Sequence, residues 1–175
     1  METIDKFLKE SPNVKRLKKQ AAEREKEIFL STYICHPSMG NNELSGPIVS
    51  TALAKWISTL KNPYYTYRFI FIPETIGSIA WISKNLNHIK EKIIGGYNLS
   101  CIGDNKNHSF VESKINKSIF DKVLIKNYQK RKIKFKRYSF LKRGSDERQF
   151  NSPGVDLPMV TVCRSKFGEY KEYHT

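Results

Sequence analysis

Four residues of this chain carry side chains suited to metal-assisted hydrolysis: His36, Glu74, Asp146 and His174. Imidazoles and a carboxylate are the donors a catalytic zinc uses, with one position left for water. A second carboxylate nearby takes that water's proton as it attacks a carbonyl. Each residue also has a plainer reading. His36 could cap a strand turn, and His174 stands next to the last residue. Glu74 and Asp146 fall where helices begin, and carboxylates are favoured there on local grounds. The case for chemistry rests on one fold placing all four on one rim.

That fold follows from the pattern of apolar residues. EIFLSTYI (27–34), YTYRFIFIP (65–73), GGYNLSCIG (95–103), IKFKRYSFL (133–141) and LPMVTVCR (157–164) read as strands. The second is almost continuously apolar, as a strand covered on both faces would be. Helices are expected over Leu44–Leu60, with Ile48, Leu53, Trp56, Ile57 and Leu60 inward, and over Ile76–Leu86, with Ile79, Ile82 and Leu86 inward. A third covers 114–130 with Ile115, Ile119, Val123 and Leu124 inward, and SDERQFNSPG is a short helix or turn. Strand and helix alternate, which predicts an α/β fold: three layers, a mainly parallel mixed sheet and helices on both faces. One domain is expected over 27–175, preceded by a basic helix or arm at 1–26.

In such sheets ligands bind beyond the carboxyl ends of the strands. His36, Asn41 and Asn42 follow the first strand, Glu74 the second and Asp104 the third. Asp146 and Glu147 follow the fourth, and Glu169 and His174 the last. His88 and His108 lie off this rim and are expected at the surface.

The net charge of +14 raises the question of an anionic partner. The charge gathers in KRLKK (15–19) and KNYQKRKIKFKR (126–137), where lysines alternate with Ile133 and Phe135 as in an edge strand that resists pairing with other chains. No nucleic-acid-binding motif accompanies it, and nucleic acid is not the expected ligand. No apolar run reaches the roughly 18 residues a membrane span needs, so no membrane partner is expected. The start of the chain lacks a secretory h-region, and its three cysteines show no C-x-x-C pairing, so a reducing cytoplasmic location is expected. Cys35 next to His36 could suggest a thiol hydrolase, but neighbours on an extended segment face opposite ways.

STYICHPSMGNNELSGP, FIFIPETIGSIAW, RGSDERQFNSPGVDLP and RSKFGEYKEYHT resemble, in this order, the aminopeptidase-like domain family of bacterial M28-type proteins. That family is known by a domain of unknown function and is often encoded among surface-polysaccharide genes. The resemblance covers roughly 27–175 and implies the zinc-aminopeptidase fold. It implies a metal-dependent hydrolase cleaving an amide or peptide bond, acting on a small peptide or an amide-bearing sugar.

Residue by residue, the resemblance matches His36 and His174 to histidine ligands and Asp146 to the aspartate of an S-D-H-x-x-F element, with Glu147 in place of that element's histidine. Glu74 stands where the family has paired glutamates and is the expected general base. The metal-bridging aspartate falls at Asn41, and the third-strand carboxylate near Ser100, with Asp104 a short way on. One divalent ion, zinc, is therefore expected rather than two. Its ligands would be His36, Asp146 and His174, with Asn41, Asn42, Asp104 and Glu147 as further ligands or supports, and Glu169 and Tyr173 would meet substrate. Relatives continue past the last histidine, so an incomplete domain is expected. The alternative is a catalytically degenerate binding domain. The sequence leaves the oligomeric state open.

Overall fold

A computed structural model of the chain describes residues 25–36 and 39–174; the arm expected over 1–26 lies almost wholly outside them. The elements run β1 (Glu27–Tyr33), α1 (Ser45–Ser58), β2 (Thr66–Ile72), α2 (Ile76–Lys92), β3 (Ile93–Leu99), β4 (Ser109–Val111), α3 (Ile119–Lys130), β5 (Lys136–Tyr138), α4 (Glu147–Phe150) and β6 (Met159–Cys163). A turn of π-helix, Gly40–Leu44, leads into α1.

The six strands form one sheet in the order β2-β1-β3-β6-β4-β5. All pairs are parallel except β4 with β6. Successive side chains of a strand face opposite ways, and the core divides accordingly. Phe29 and Met159 pack with Ile89, Phe150 and Trp81 beneath α2 and α4. Ile28 and Val160, their immediate neighbours, pack with Phe120 and Leu124 beneath α3. With Leu53 and Ile57 of α1 lining a groove with Ile28 and Leu30 on that second face, the architecture is the expected three-layer α/β fold.

The helices keep part of the faces the apolar residues suggest, with Leu53, Ile57, Ile82 and Leu124 turned inward, but other expected residues turn out. In α1, Ile48 (65% exposed) and Trp56 (59%) face outward, while Ser45, Gly46 and Ser50 are buried. Close approach explains this. A Cβ on Gly46 would lie 2.3 Å from Thr32 Oγ1 and 2.5 Å from the Leu99 carbonyl oxygen, so small residues face the sheet. In α2, Ile79 is exposed, and Ser78 and Ile89 are buried instead. α3 starts later than its apolar pattern, at a capping box. Ser118 Oγ accepts the Asp121 N–H, and Asp121 Oδ2 accepts the Ser118 N–H at 3.0 Å. That phase turns Phe120 inward and leaves Ile115, Ile119 and Val123 exposed.

One strand reading is also corrected, and one strand, β4, is additional to those expected. β2 lies at an edge with Phe71 exposed, although its run is apolar enough for a central strand. β4 is three residues long, too short to give an alternating pattern. β5, the lysine-bearing segment, is an edge strand as expected. No helix among the described residues is long and apolar enough to cross a membrane.

Candidate metal-binding site at the strand ends

β1 and β2 end side by side, locked by the Ile34 N–H donating to the Ile72 carbonyl oxygen at 3.0 Å. Each then releases candidate residues on the same rim: Cys35 and His36 from β1, Glu74 from β2. The π-helical turn supplies the next pair. Both Glu43 and Leu44 donate their N–H groups to the Met39 carbonyl oxygen, and the widened turn buries Asn42 and Glu43 together. Such turns recur at functional sites because they re-aim side chains without ending a helix.

His36 is the centre of the cluster. Its Nδ1 lies 3.0 Å from Glu43 Oε2 and 3.3 Å from Cys35 Sγ, and its Nε2 lies 3.9 Å from Glu74 Oε2. The His174 ring is 5.6 Å away, centroid to centroid, with the Tyr173 ring stacked on it at 4.0 Å. Tyr33, Asn42, Ser100 and Cys101 form a buried polar floor beneath. The Tyr33 hydroxyl bonds Ser100 Oγ and donates to Asn42 Oδ1, which also accepts the Cys101 S–H.

Glu74 is presented by a strained turn. The Ile76 N–H reaches back to the Glu74 carbonyl oxygen at 2.6 Å, and Thr75 between them has φ 61° and ψ −67°. This is a γ-turn of the rare positive-φ kind, and a β-branched residue adopts it only at a cost. Asp146 holds the strain in place, since its Oδ1 accepts the Thr75 N–H at 2.7 Å and the Ser78 hydroxyl at 2.9 Å. Burial pushes the Asp146 carboxyl up to about 6, with Glu74 and Glu147 adding to the rise against those two donors. The Cys35 thiol is also raised, first by burial and then by the carboxylates of Glu43, Glu74 and Asp146, while the Glu74 N–H donating to its sulfur opposes them.

The other expected site residues lie elsewhere or are already engaged. Asn41 Oδ1 accepts the Gly103 N–H, and its amide donates to Asp104, whose oxygens also accept from Ser165 and Lys106. Asn41 and Asp104 therefore clamp one loop to another, and the amide facing the cluster is that of Asn42. Glu147 is fully buried; it accepts the Gly144 and Ser145 N–H groups and the Thr161 hydroxyl. Glu169 accepts from the Tyr138 hydroxyl. His88 and His108 are not free surface residues: His88 contacts Glu27 and Arg68, and His108 contacts Arg164.

Sequence reasoning missed Glu43, whose position in GNNEL shows only as a polar loop before a helix. It also set Cys35 aside on strand geometry. The strand ends at Tyr33, and beyond it the Cys35 and His36 side chains meet.

The donor set suits a divalent cation. Cys35, His36 and Glu43 offer a sulfur, a nitrogen and a carboxylate oxygen all within 4.8 Å of one another. Glu43 Oε1 and Asp146 Oδ2 are buried with no hydrogen-bond partner among the described residues. Buried carboxylate oxygens without a partner are costly, and a cation would satisfy them.

A family model described as a domain of unknown function (DUF4910) matches residues 18–175. A Clostridium acetobutylicum protein named for polysaccharide biosynthesis and an aminopeptidase-like domain is 43% identical over 153 residues. That alignment covers 87% of this chain and 35% of the relative, so the chain spans about a third of the relative's length. A crystal structure named for a peptidase from the same organism superposes with a TM-score of 0.82 at 42% identity, again over 87% of this chain and 35% of the other. The LapA aminopeptidase of Legionella pneumophila superposes with a TM-score of 0.70 at 14% identity, covering 87% of this chain and 44% of that one, a likeness of fold.

Proposed function

Since this chain belongs to the DUF4910 family, whose relatives include proteins named for peptidases and an aminopeptidase-like domain, we propose that it is a metal-dependent hydrolase that cleaves an amide or peptide bond. The observation that carries the reading is the gathering of Glu43, Glu74 and His174 around His36, with Asp146 holding the Glu74 turn and with one buried oxygen each of Glu43 and Asp146 lacking a hydrogen-bond partner among the described residues.

In this reading His36, Asp146 and His174 would converge on one divalent ion, zinc by its preference for such donors, while among the described residues it is Cys35, His36 and Glu43 whose donor atoms already lie within 4.8 Å of one another. When bound, that ion supplies Lewis acidity toward a carbonyl and acidity to a bound water. Glu74 does the proton work. Its side chain is about a quarter exposed, open enough to meet water and substrate. As general base it takes the proton of the attacking water and returns it to the leaving amine. The γ-turn fixes where that carboxylate points, and Asp146 fixes the turn. Tyr173, stacked on His174, offers a flat wall against which a substrate could lie.

The name of the Clostridium relative suggests two substrate classes, a small peptide or an amide-bearing sugar. Three free cysteines suit a reducing, cytoplasmic setting. A second reading is a binding domain in which the chemistry has been lost. Asn41 and Ser100 favour it. The resemblance expects carboxylates at these positions, and here they hold neutral groups already hydrogen-bonded within the protein.

The test is elemental analysis of the purified chain beside a His36→Ala/His174→Ala double variant, followed by a screen of peptides and N-acylated sugars. About one equivalent of zinc that the double variant loses, together with turnover, supports the hydrolase. No metal after incubation with excess zinc sinks it and leaves the binding domain.

A further inference from the structure

We infer that Cys35, His36 and Glu43 form a thiolate-containing site for a soft divalent cation on the Nδ1 edge of His36, distinct from the donors on its Nε2 edge. The imidazole lies between two clusters. Nδ1 faces Cys35 Sγ at 3.3 Å and Glu43 Oε2 at 3.0 Å. Nε2 faces Glu74, with His174 a ring away. Zinc–sulfur and zinc–nitrogen bonds of about 2.3 and 2.0 Å place tetrahedral donors roughly 3.3–3.8 Å apart. Both separations from Nδ1 are already near that spacing, and all three donor atoms lie within 4.8 Å of one another.

Two further observations point the same way. Glu43 is 4% exposed, and its second oxygen has no hydrogen-bond partner among the described residues. The Cys35 sulfur accepts the Glu74 N–H at 3.1 Å. Hydrogen bonds from backbone N–H groups of this kind stabilise metal-bound thiolates. Sulfur, imidazole and carboxylate together favour zinc, cobalt or cadmium over magnesium or calcium. On binding, the sulfur–metal bond forms and the thiol proton passes to solvent.

A neutral imidazole has one lone pair to give. When Nδ1 holds the cation, Nε2 carries the proton and faces Glu74. The two edges of His36 therefore compete for a single ion. The site does not depend on the hydrolase reading, because a cation can sit there without any amide being cleaved.

Cobalt(II) alone, titrated into the full chain under reducing conditions, tests it. The expected result is a near-ultraviolet thiolate-to-cobalt charge-transfer band that saturates at about one equivalent. Cys35→Ser should abolish the band while retaining the wild-type far-ultraviolet circular dichroism. Glu43→Gln should weaken cobalt binding about tenfold or more, and His174→Ala should leave the band in place. A cobalt complex with no thiolate band overturns the proposal. So does a band that survives in Cys35→Ser, since the sulfur would then be that of Cys101 or Cys163. Hydrolysis is measured separately: turnover without the band fails only this proposal, and the band without turnover fails only the hydrolase.

Discussion

Asp146 Oδ1 accepts the backbone N–H of Thr75 at 2.7 Å, so a carboxylate 71 residues away holds the turn that presents Glu74. The same carboxyl has its ordinary value of 3.8 raised to about 6, chiefly by burial. A raised acid favours the protonated form in the folded state. Its contribution to stability is complete below about pH 4 and is lost as pH rises through about 6. The metal-free Asp146→Asn variant should therefore gain on the wild type between pH 4 and 7, by up to about 3 kcal/mol. Urea midpoints at the two pH values with chelator present check this, and a gain toward low pH would contradict it.

Thr75 bears the strain of that turn. A positive φ costs a β-branched residue about 1–3 kcal/mol, and glycine adopts it freely at an entropic cost of about 0.5–1 kcal/mol. Thr75→Gly should thus leave equilibrium stability unchanged or raise it by about 1 kcal/mol. A loss of more than that in chemical denaturation would mean that the threonine side chain matters more than the strain.

Gly46 lets α1 approach β1 and β3 closely enough to bring the Asn42–Glu43 turn onto the rim. A methyl group there would meet the Thr32 hydroxyl and the Leu99 carbonyl, and the carbonyl is backbone that cannot swing aside. Gly46→Ala should cost about 2–3 kcal/mol, as overpacking of a close-packed interior does. It should also weaken metal binding by moving Glu43. Thermal melts and cobalt titration of the same sample read both effects.

Glu147 is expected to support the fold rather than touch substrate. Glu147→Ala strands the Gly144 and Ser145 N–H groups and the Thr161 hydroxyl in a fully buried setting, at a cost of about 3 kcal/mol or more. Glu147→Gln, which keeps the acceptor, should lose less. Equal losses in the two variants would show that the carboxylate's charge, not its hydrogen bonding, is what matters.

Glu74→Gln should separate chemistry from binding. The side chain is partly exposed and accepts no hydrogen bond from the described residues, its near contact being His36 Nε2 at 3.9 Å, so melting should be unchanged and zinc content retained. Hydrolysis should fall about 10²- to 10⁴-fold, the usual worth of a positioned general base. Wild-type turnover in this variant would remove Glu74 from the mechanism.

Most of the sheet was legible because β-rich apolar runs and abrupt strand ends are written locally, whereas the three-residue β4 and the edge position of β2 were not. EIFLSTYI stops at Cys35-His36, and FIFIP at Glu74, so the rim residues could be named from the sequence. The helix faces were legible in part: Leu53, Ile57, Ile82 and Leu124 turn inward as expected, while Ile48, Trp56, Ile79, Ile119 and Val123 do not. α1 has apolar residues on more than one side, and the side that packs is chosen by Ser45, Gly46 and Ser50, whose small size reads as neutral in an apolar count. Glu43 was missed for a related reason, since it becomes inward-facing only through a π-helical turn that no local propensity marks.

By itself, then, the sequence determined the alternation of strands and helices, the mainly parallel sheet and the position of His36 and Glu74 just past the ends of β1 and β2. These follow from short-range patterning and from where each strand stops. Only the tertiary structure decided which side chains meet. Asp146 grips Thr75, Asn41 turns away to Asp104, and Cys35 and Glu43 close on one nitrogen of His36. Such contacts depend on helix phase, turn type and backbone strain, and those are fixed by packing between segments far apart in the chain.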